Sequence, residues 1–142
     1  MMRSSMTALV LMILLSALGC SRDAKPAVKA EAEEEAIART EFTERIENFF
    51  EYEPLKKGKP SQFRIHLTDL SDGSPVEQAE VTLTVRGKAG ESAEQTKAKI
   101  GKVMGIYVTE LNIAKPGDYD IEFHIKNNKL DERLPLTDFK VE

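Results

Sequence analysis

The chain has 142 residues, 31% of them charged, with a formal net charge of -4 and a pI near 5.4. That balance offers no concentrated basic surface for phosphates, and 6% aromatic residues with no tryptophan leave few stacking platforms, so nucleic acid is excluded as the expected partner. A single cysteine allows no intramolecular disulfide.

In chain order, Arg3 precedes a twelve-residue, largely apolar run from Thr7 to Leu18. The run is too short to span a bilayer and has the layout of a secretory signal. Ser16-Ala17-Leu18-Gly19-Cys20 then resembles the lipobox of bacterial lipoproteins. The resemblance implies cleavage before Cys20, which leaves 1–19 as signal peptide, and acylation of the Cys20 thiol. Lipidation also disposes of a lone thiol in an oxidising compartment. One acyl chain anchors only marginally, at about 0.8 kcal/mol per buried methylene, so stable attachment takes further chains on the same residue. Ser21, by resemblance to Gram-negative sorting, implies an outer-membrane anchor with the protein facing the periplasm. Removing 1–19 leaves 123 residues, enough for one domain.

From Ser21 to Arg39 the sequence SRDAKPAVKAEAEEEAIAR has no large apolar residue except Val28 and Ile37 and cannot order itself by burial. Residues 20–41 are expected to form a flexible Ala/Glu-rich linker. Such a linker reaches roughly 70 Å when extended and about 30 Å when helical. Phe42, Ile46 and Phe49 fall at helical spacing, whereas Ile46, Phe50 and Tyr52 suit a strand, and periodicity leaves the two open.

Beyond Pro54 the pattern is that of strands. Phe63, Ile65 and Leu67 alternate with Arg64, His66 and Thr68; Val81, Leu83 and Val85 with Thr82 and Thr84; Ile121, Phe123 and Ile125 with Glu122, His124 and Lys126. Period two with polar partners marks sheets covered on one side. Turn signals separate them at Lys57-Gly58-Lys59-Pro60, Ser71-Asp72-Gly73-Ser74-Pro75, Arg86-Gly87 and Lys115-Pro116-Gly117-Asp118. Seven strands follow, at about 45–52, 62–70, 79–87, 92–100, 103–113, 118–126 and 134–141. They predict an all-β domain over 42–142, a seven-stranded antiparallel immunoglobulin-like β-sandwich. Alternation falters between Ile106 and Ile113, and Gly101 and Gly105 mark a bulge or strand break nearby. Pro116-Gly117 suits a type II turn, Tyr119 a tyrosine corner, and Pro135 an edge strand. Lys97, Lys99 and Lys102 crowd the fourth strand, as on an edge protected from self-pairing.

Phe42-Thr43-Glu44, Glu51-Tyr52-Glu53-Pro54-Leu55, Gly58-Lys59-Pro60-Ser61 and Phe63-Arg64-Ile65-His66-Leu67-Thr68 with Pro75-Val76 are similar to the N-terminal β-sandwich of periplasmic adaptors in heavy-metal resistance-nodulation-division efflux systems. Gly105-Ile106-Tyr107 and Ala114-Lys115-Pro116-Gly117-Asp118-Tyr119-Asp120 look like the closing half of the same module, seen also in YtkA-like domains. The resemblance implies a sandwich module standing alone on a lipid tether, since nothing here encodes the lipoyl-like, barrel and hairpin parts of a full adaptor.

Catalytic chemistry is not indicated. The two histidines sit in separate strands, no serine has a nucleophile motif, and Glu33, Glu34 and Glu35 lie in the linker. The expectation is a non-enzymatic envelope lipoprotein, held to the membrane through Cys20, whose sandwich binds an envelope protein or efflux components. The alternative is a soft metal site for copper or silver using His66, His124 and Met104, the only cofactor foreseen besides the covalent lipid. Against it stands the reading of both histidines as exposed sheet residues and of Met104 as a core filler.

Overall fold

Side chains that alternate in the sequence line up on the inner faces of two antiparallel sheets in the computed structural model, which describes residues 34–91 and 93–142. The strands are β1 (Ile37–Phe42), β2 (Ile46–Tyr52), β3 (Pro60–Asp69), β4 (Glu80–Gly87), β5 (Glu94–Lys97), β6 (Lys99–Ile100), β7 (Ile106–Asn112), β8 (Gly117–Lys126) and β9 (Asp131–Val141). There is no helix among the described residues. One sheet runs β1-β2-β3-β7-β6 and the other β5-β4-β8-β9. The orders β2-β3-β7-β6 and β5-β4-β8-β9 correspond to A-B-E-D and C′-C-F-G of an immunoglobulin-like sandwich, with β1 added outside strand A. The predicted signal peptide at 1–19, Cys20 and the linker before Glu34 lie outside the described residues.

The core is what the alternation demands. Ile46 and Phe50 of β2, Phe63, Ile65 and Leu67 of β3 and Tyr107 of β7 are buried in one sheet. Val81 and Leu83 of β4, Ile121, Phe123 and Ile125 of β8 and Phe139 of β9 are buried in the other. Its centre is aromatic: the Phe50 ring lies 4.9 Å from Phe123, Tyr52 stacks on Phe63 at 4.9 Å, and Phe139 lies 5.6 Å from Tyr52. Asn48, between Ile46 and Phe50 on the inward face of β2, is fully buried, and neither Oδ1 nor Nδ2 has a hydrogen-bond partner among the described residues.

Several expectations are corrected. The linker, expected to run to residue 41, gives way at Ile37 to β1, which pairs with β2 from Ile37↔Tyr52 to Phe42↔Glu47. Backbone pairing and the Arg39 guanidinium hold this strand where its own apolar content does not. The open stretch around Phe49 is strand: Thr43 Oγ1 accepts from the amides of Arg45 and Ile46 and reverses the chain into β2, and Phe49 points to the outer face against His66. The fourth predicted strand is broken in two. Ala98 is buried and donates its amide to the Val81 carbonyl at 2.8 Å, after which the chain leaves β4 and Lys99 joins β7, so β5 and β6 belong to different sheets. The fifth begins at Ile106 rather than 103 and alternates without fault; it reads as irregular only because Thr109 faces inward, bonded to the Thr96 hydroxyl at 3.0 Å, while Ile106 and Val108 face out.

Pro116-Gly117 forms no type II turn, since Gly117 has φ 141 and starts β8 directly. Tyr119 does tie back as predicted, its hydroxyl donating to the Lys115 carbonyl at 2.9 Å. β9 starts at Asp131, earlier than 134, because Asn127 Oδ1 caps the preceding turn by accepting from the amides of Lys129 and Leu130. Pro135 lies in an edge strand, as expected.

Candidate functional site

The predicted metal ligands do not converge. His66 is on the outer face of β3 in one sheet and His124 on the outer face of β8 in the other, so about 10 Å of core plus both outward side chains separate them. Met104 sits in the β6–β7 turn and is exposed, which also removes it from the core. Among the described residues no three His, Cys, Asp or Glu side chains gather as a metal site.

Each histidine has a local partner instead. His66 packs edge-on against Phe49 at 5.3 Å, and its Nε2 lies 4.0 Å from Glu51 Oε2, too far for a hydrogen bond. His124 Nε2 lies 2.6 Å from Asp131 Oδ1, and Asp131 Oδ2 is 3.3 Å from Lys126 Nζ. The hydrogen bonds from His124 and then Lys126 hold the Asp131 carboxyl below its ordinary range. Around this pair, Lys97–Glu80 at 2.6 Å and Arg133–Glu122 at 2.8 Å make the outer face of β4, β8 and β9 a ladder of ion pairs.

The two ends of the sandwich differ far more than its two faces. At one end lie residues 34–36, where the chain comes in, the loops 53–59 and 113–116, residues 88–91 after β4, and Glu142. The Lys57 amide meets the Glu142 carbonyl there, and the Gly58 amide that of Ile113. At the other end, called here the free end, are the turns 43–45, 70–79, 101–105 and 127–130. Cross-bonds fasten them together: the Leu70 amide to the Arg45 carbonyl, the Leu67 amide to Gly105, the Arg45 guanidinium to the Lys129 carbonyl, and the Asn127 amide group to Glu77. The ten residues of β3 set the two ends about 33 Å apart.

Large apolar residues exposed to solvent are concentrated at the free end. They number six among the described residues, and Phe42, Leu70, Ile100, Val103 and Met104 are there, with Ile37 alone at the other end. Sequence reading named Met104 but missed its four neighbours. The available signal was local: Val103 and Met104 fall between Gly101 and Gly105, in a turn and not at alternating positions of a strand.

A groove of about 560 Å³ opens at the same end, lined by Asp69, Ser74, Glu77, Gln78, Asn127 and Lys129 among others. Its polar groups largely serve the loops. Asp69 accepts from the amide and hydroxyl of Ser71, bonds that lower its pKa, while Asn127 caps its own turn. Below the groove the Tyr107 hydroxyl donates to the Val76 carbonyl at 2.7 Å and accepts from the Ala79 amide at 3.0 Å. That clamp holds the intervening Gln78 at φ 50, a left-handed conformation unusual for a side-chain-bearing residue.

These features define an immunoglobulin-like sandwich that residues 34–36 enter at one end and that carries most of its exposed large apolar side chains at the other. The YtkA-like family model matches residues 42–124, from the last residue of β1 into β8, and the chain belongs to that family. Neither a curated protein nor a solved structure matches it.

Proposed function

We propose that this chain is a lipid-anchored envelope protein without catalytic activity, whose YtkA-like sandwich serves as a binding module accessory to an efflux or other envelope complex. The observation that carries the reading is the segregation of exposed apolar side chains to the end opposite the one that residues 34–36 enter. Scattered single apolar residues would need no explanation, whereas five gathered at one end of the body favour a contact surface there. The lipobox resemblance at Cys20 supports an envelope location, and the YtkA-like match supports a module of accessory type.

Two measurements test this. Labelled palmitate should be incorporated by the full chain and lost in Cys20→Ser. Detergent-solubilised envelopes should yield efflux or other envelope components with the wild-type chain and lose them with Phe42→Ser plus Leu70→Ser, both exposed positions. Recovery unchanged by that double substitution would refute the assignment of the free end. Titration with Cu(I) or Ag(I) that gave binding abolished by His66→Ala or Met104→Ala would instead favour a metal role.

A further inference from the structure

The β6–β7 connection joins apolar exposure to one-sided charge. Ile100, Val103 and Met104 are 63%, 60% and 67% exposed within five residues. Lys97, Lys99 and Lys102 neighbour them along the chain, and no acidic residue occurs from Gln95 to Thr109. Lys97 is paired with Glu80 at 2.6 Å, whereas Lys99 and Lys102 make no ion pair among the described residues. In a chain of net charge -4 this is a local reversal of sign.

The tip is held firmly. The Gly101 amide donates to the Ile106 carbonyl at 2.7 Å and the Leu67 amide to the Gly105 carbonyl at 2.9 Å. Gly105 has φ 77, and a Cβ there would stand 2.6 Å from that of Pro75, so only glycine lets the turn close against the β3–β4 loop. The three apolar side chains are therefore exposed on a firmly held turn, with Lys99 and Lys102 next to them in the chain and without an ion pair among the described residues.

We propose that this tip inserts Ile100, Val103 and Met104 into the interface of an anionic bilayer, with Lys99 and Lys102 at the headgroups. The inference rests on the reading of Cys20 as a lipid anchor and adds what part of the free end meets. Apolar side chains rimmed by lysines whose long stems keep the charge in water suit a lipid interface. Exposed side chains on a turn enter a fluid interface without needing a matching cavity. Charge sets the orientation, because the acidic remainder of the body is repelled by an anionic surface while the tip is attracted. Reach permits it: the sixteen residues from Ser21 to Ala36 can span up to roughly 55 Å, more than the roughly 33 Å length of the body, so the free end can return to the leaflet that holds Cys20.

The chain has no tryptophan, so Met104→Trp in the full chain gives a single reporter. The protein is carried by its own anchor into vesicles of phosphatidylcholine alone or with phosphatidylglycerol, each containing brominated acyl chains. The expected result is flotation with both vesicles, but shortened emission wavelength and quenching only where phosphatidylglycerol is present. Lys99→Gln and Lys102→Gln should each lower the ratio of inserted to free tip about fivefold, and high salt should do the same. Water-exposed emission from protein that floats with phosphatidylglycerol vesicles would overturn the inference. So would a shift in neutral vesicles that grows with protein density, which marks contact with a second copy, or one that requires an added acidic protein. Failure to float with neutral vesicles would overturn the anchor instead; capture by phosphatidylglycerol vesicles that depends on Lys99 and Lys102 would then still support the tip, and its absence would refute it.

Discussion

Replacing Arg39 by alanine should remove about 2 kcal/mol of stability, because this side chain fastens β1 to the body. β1 pairs only with β2 and carries mostly exposed side chains. Arg39 and Glu41 are its half-buried exceptions. The Nη2 and Nε atoms donate to Glu41 Oε1 at 2.5 and 3.2 Å, and Nη1 donates to Asp138 Oδ1 at 2.9 Å on β9 of the other sheet. The guanidinium carbon lies 5.1 Å from the Phe139 ring and 5.8 Å from that of Phe50. Burial works against the charge, but the bonds to Glu41 and Asp138 outweigh it and raise the Arg39 pKa. Two cation–π contacts contribute about 0.5–1 kcal/mol each. The bridge to Asp138, whose side chain is largely in water, adds no more than about 0.5 kcal/mol, and the packed stem supplies the remainder. For a body of this size the loss lowers the melting temperature by about 10 °C. Urea unfolding measures the total, and hydrogen exchange should show β1 amides losing protection before those shared by β4 and β8. Arg39→Lys keeps the charge but not the planar fork, and should recover less than half of the loss. An alanine variant within about 0.5 kcal/mol of wild type, or full recovery by lysine, would refute this account.

Asn48→Val should stabilise the protein by about 1–2 kcal/mol in urea unfolding, since it removes a buried amide with no partner among the described residues and suits a strand; destabilisation would mean that the amide is satisfied. Tyr107→Phe should cost about 2 kcal/mol by orphaning the Ala79 amide and the Val76 carbonyl, and should increase exchange in the 70–79 loop. A neutral result would show that loop to be held by its own turns. The Asp131 carboxyl, held low by His124 and Lys126, should titrate below its ordinary 3.8 by NMR. Its stabilising share is then complete above about pH 4 and is lost as pH falls through the lowered folded-state value. His124→Gln or Lys126→Gln should move the midpoint upward, and an unmoved midpoint would contradict the assigned cause.

Most of the sandwich was legible because its strands bury one face, so that Phe63, Ile65 and Leu67 or Ile121, Phe123 and Ile125 announce themselves by period. What escaped was held by something other than apolar alternation. β1 depends on ladder bonds and one arginine whose carboxylate partner Asp138 is ninety-nine residues away. The switch at Ala98 depends on which of two sheets offers the next free strand, a property of the assembled fold and not of the segment. Thr109 hid the regularity of β7 because its polar side chain is satisfied across the sandwich by Thr96. The metal set failed for the opposite reason. His66 and His124 occupy the same outward phase of their strands, and phase alone does not say that β3 and β8 belong to different sheets.

The same switch at Ala98 narrows where a partner can bind. A sandwich ordinarily offers its edge strands for pairing with another chain. Here the fourth strand is divided, so that one sheet ends in four residues of β5 with Lys97 and the other in two residues of β6 with Lys99. The opposite edges are β9, interrupted by Pro135, and the six-residue β1, whose Arg39 is half-buried. No edge presents a long, flat, unencumbered row of backbone groups, and the outer face of β4, β8 and β9 is already neutralised by its own ion pairs. Among the described residues the free end has neither protection: its apolar side chains are uncovered, and the lysines at 99 and 102 are uncompensated. A module closed at its edges and open at one end is suited to contact through that end. Substitutions there, rather than along the edges, are the ones expected to separate binding from folding.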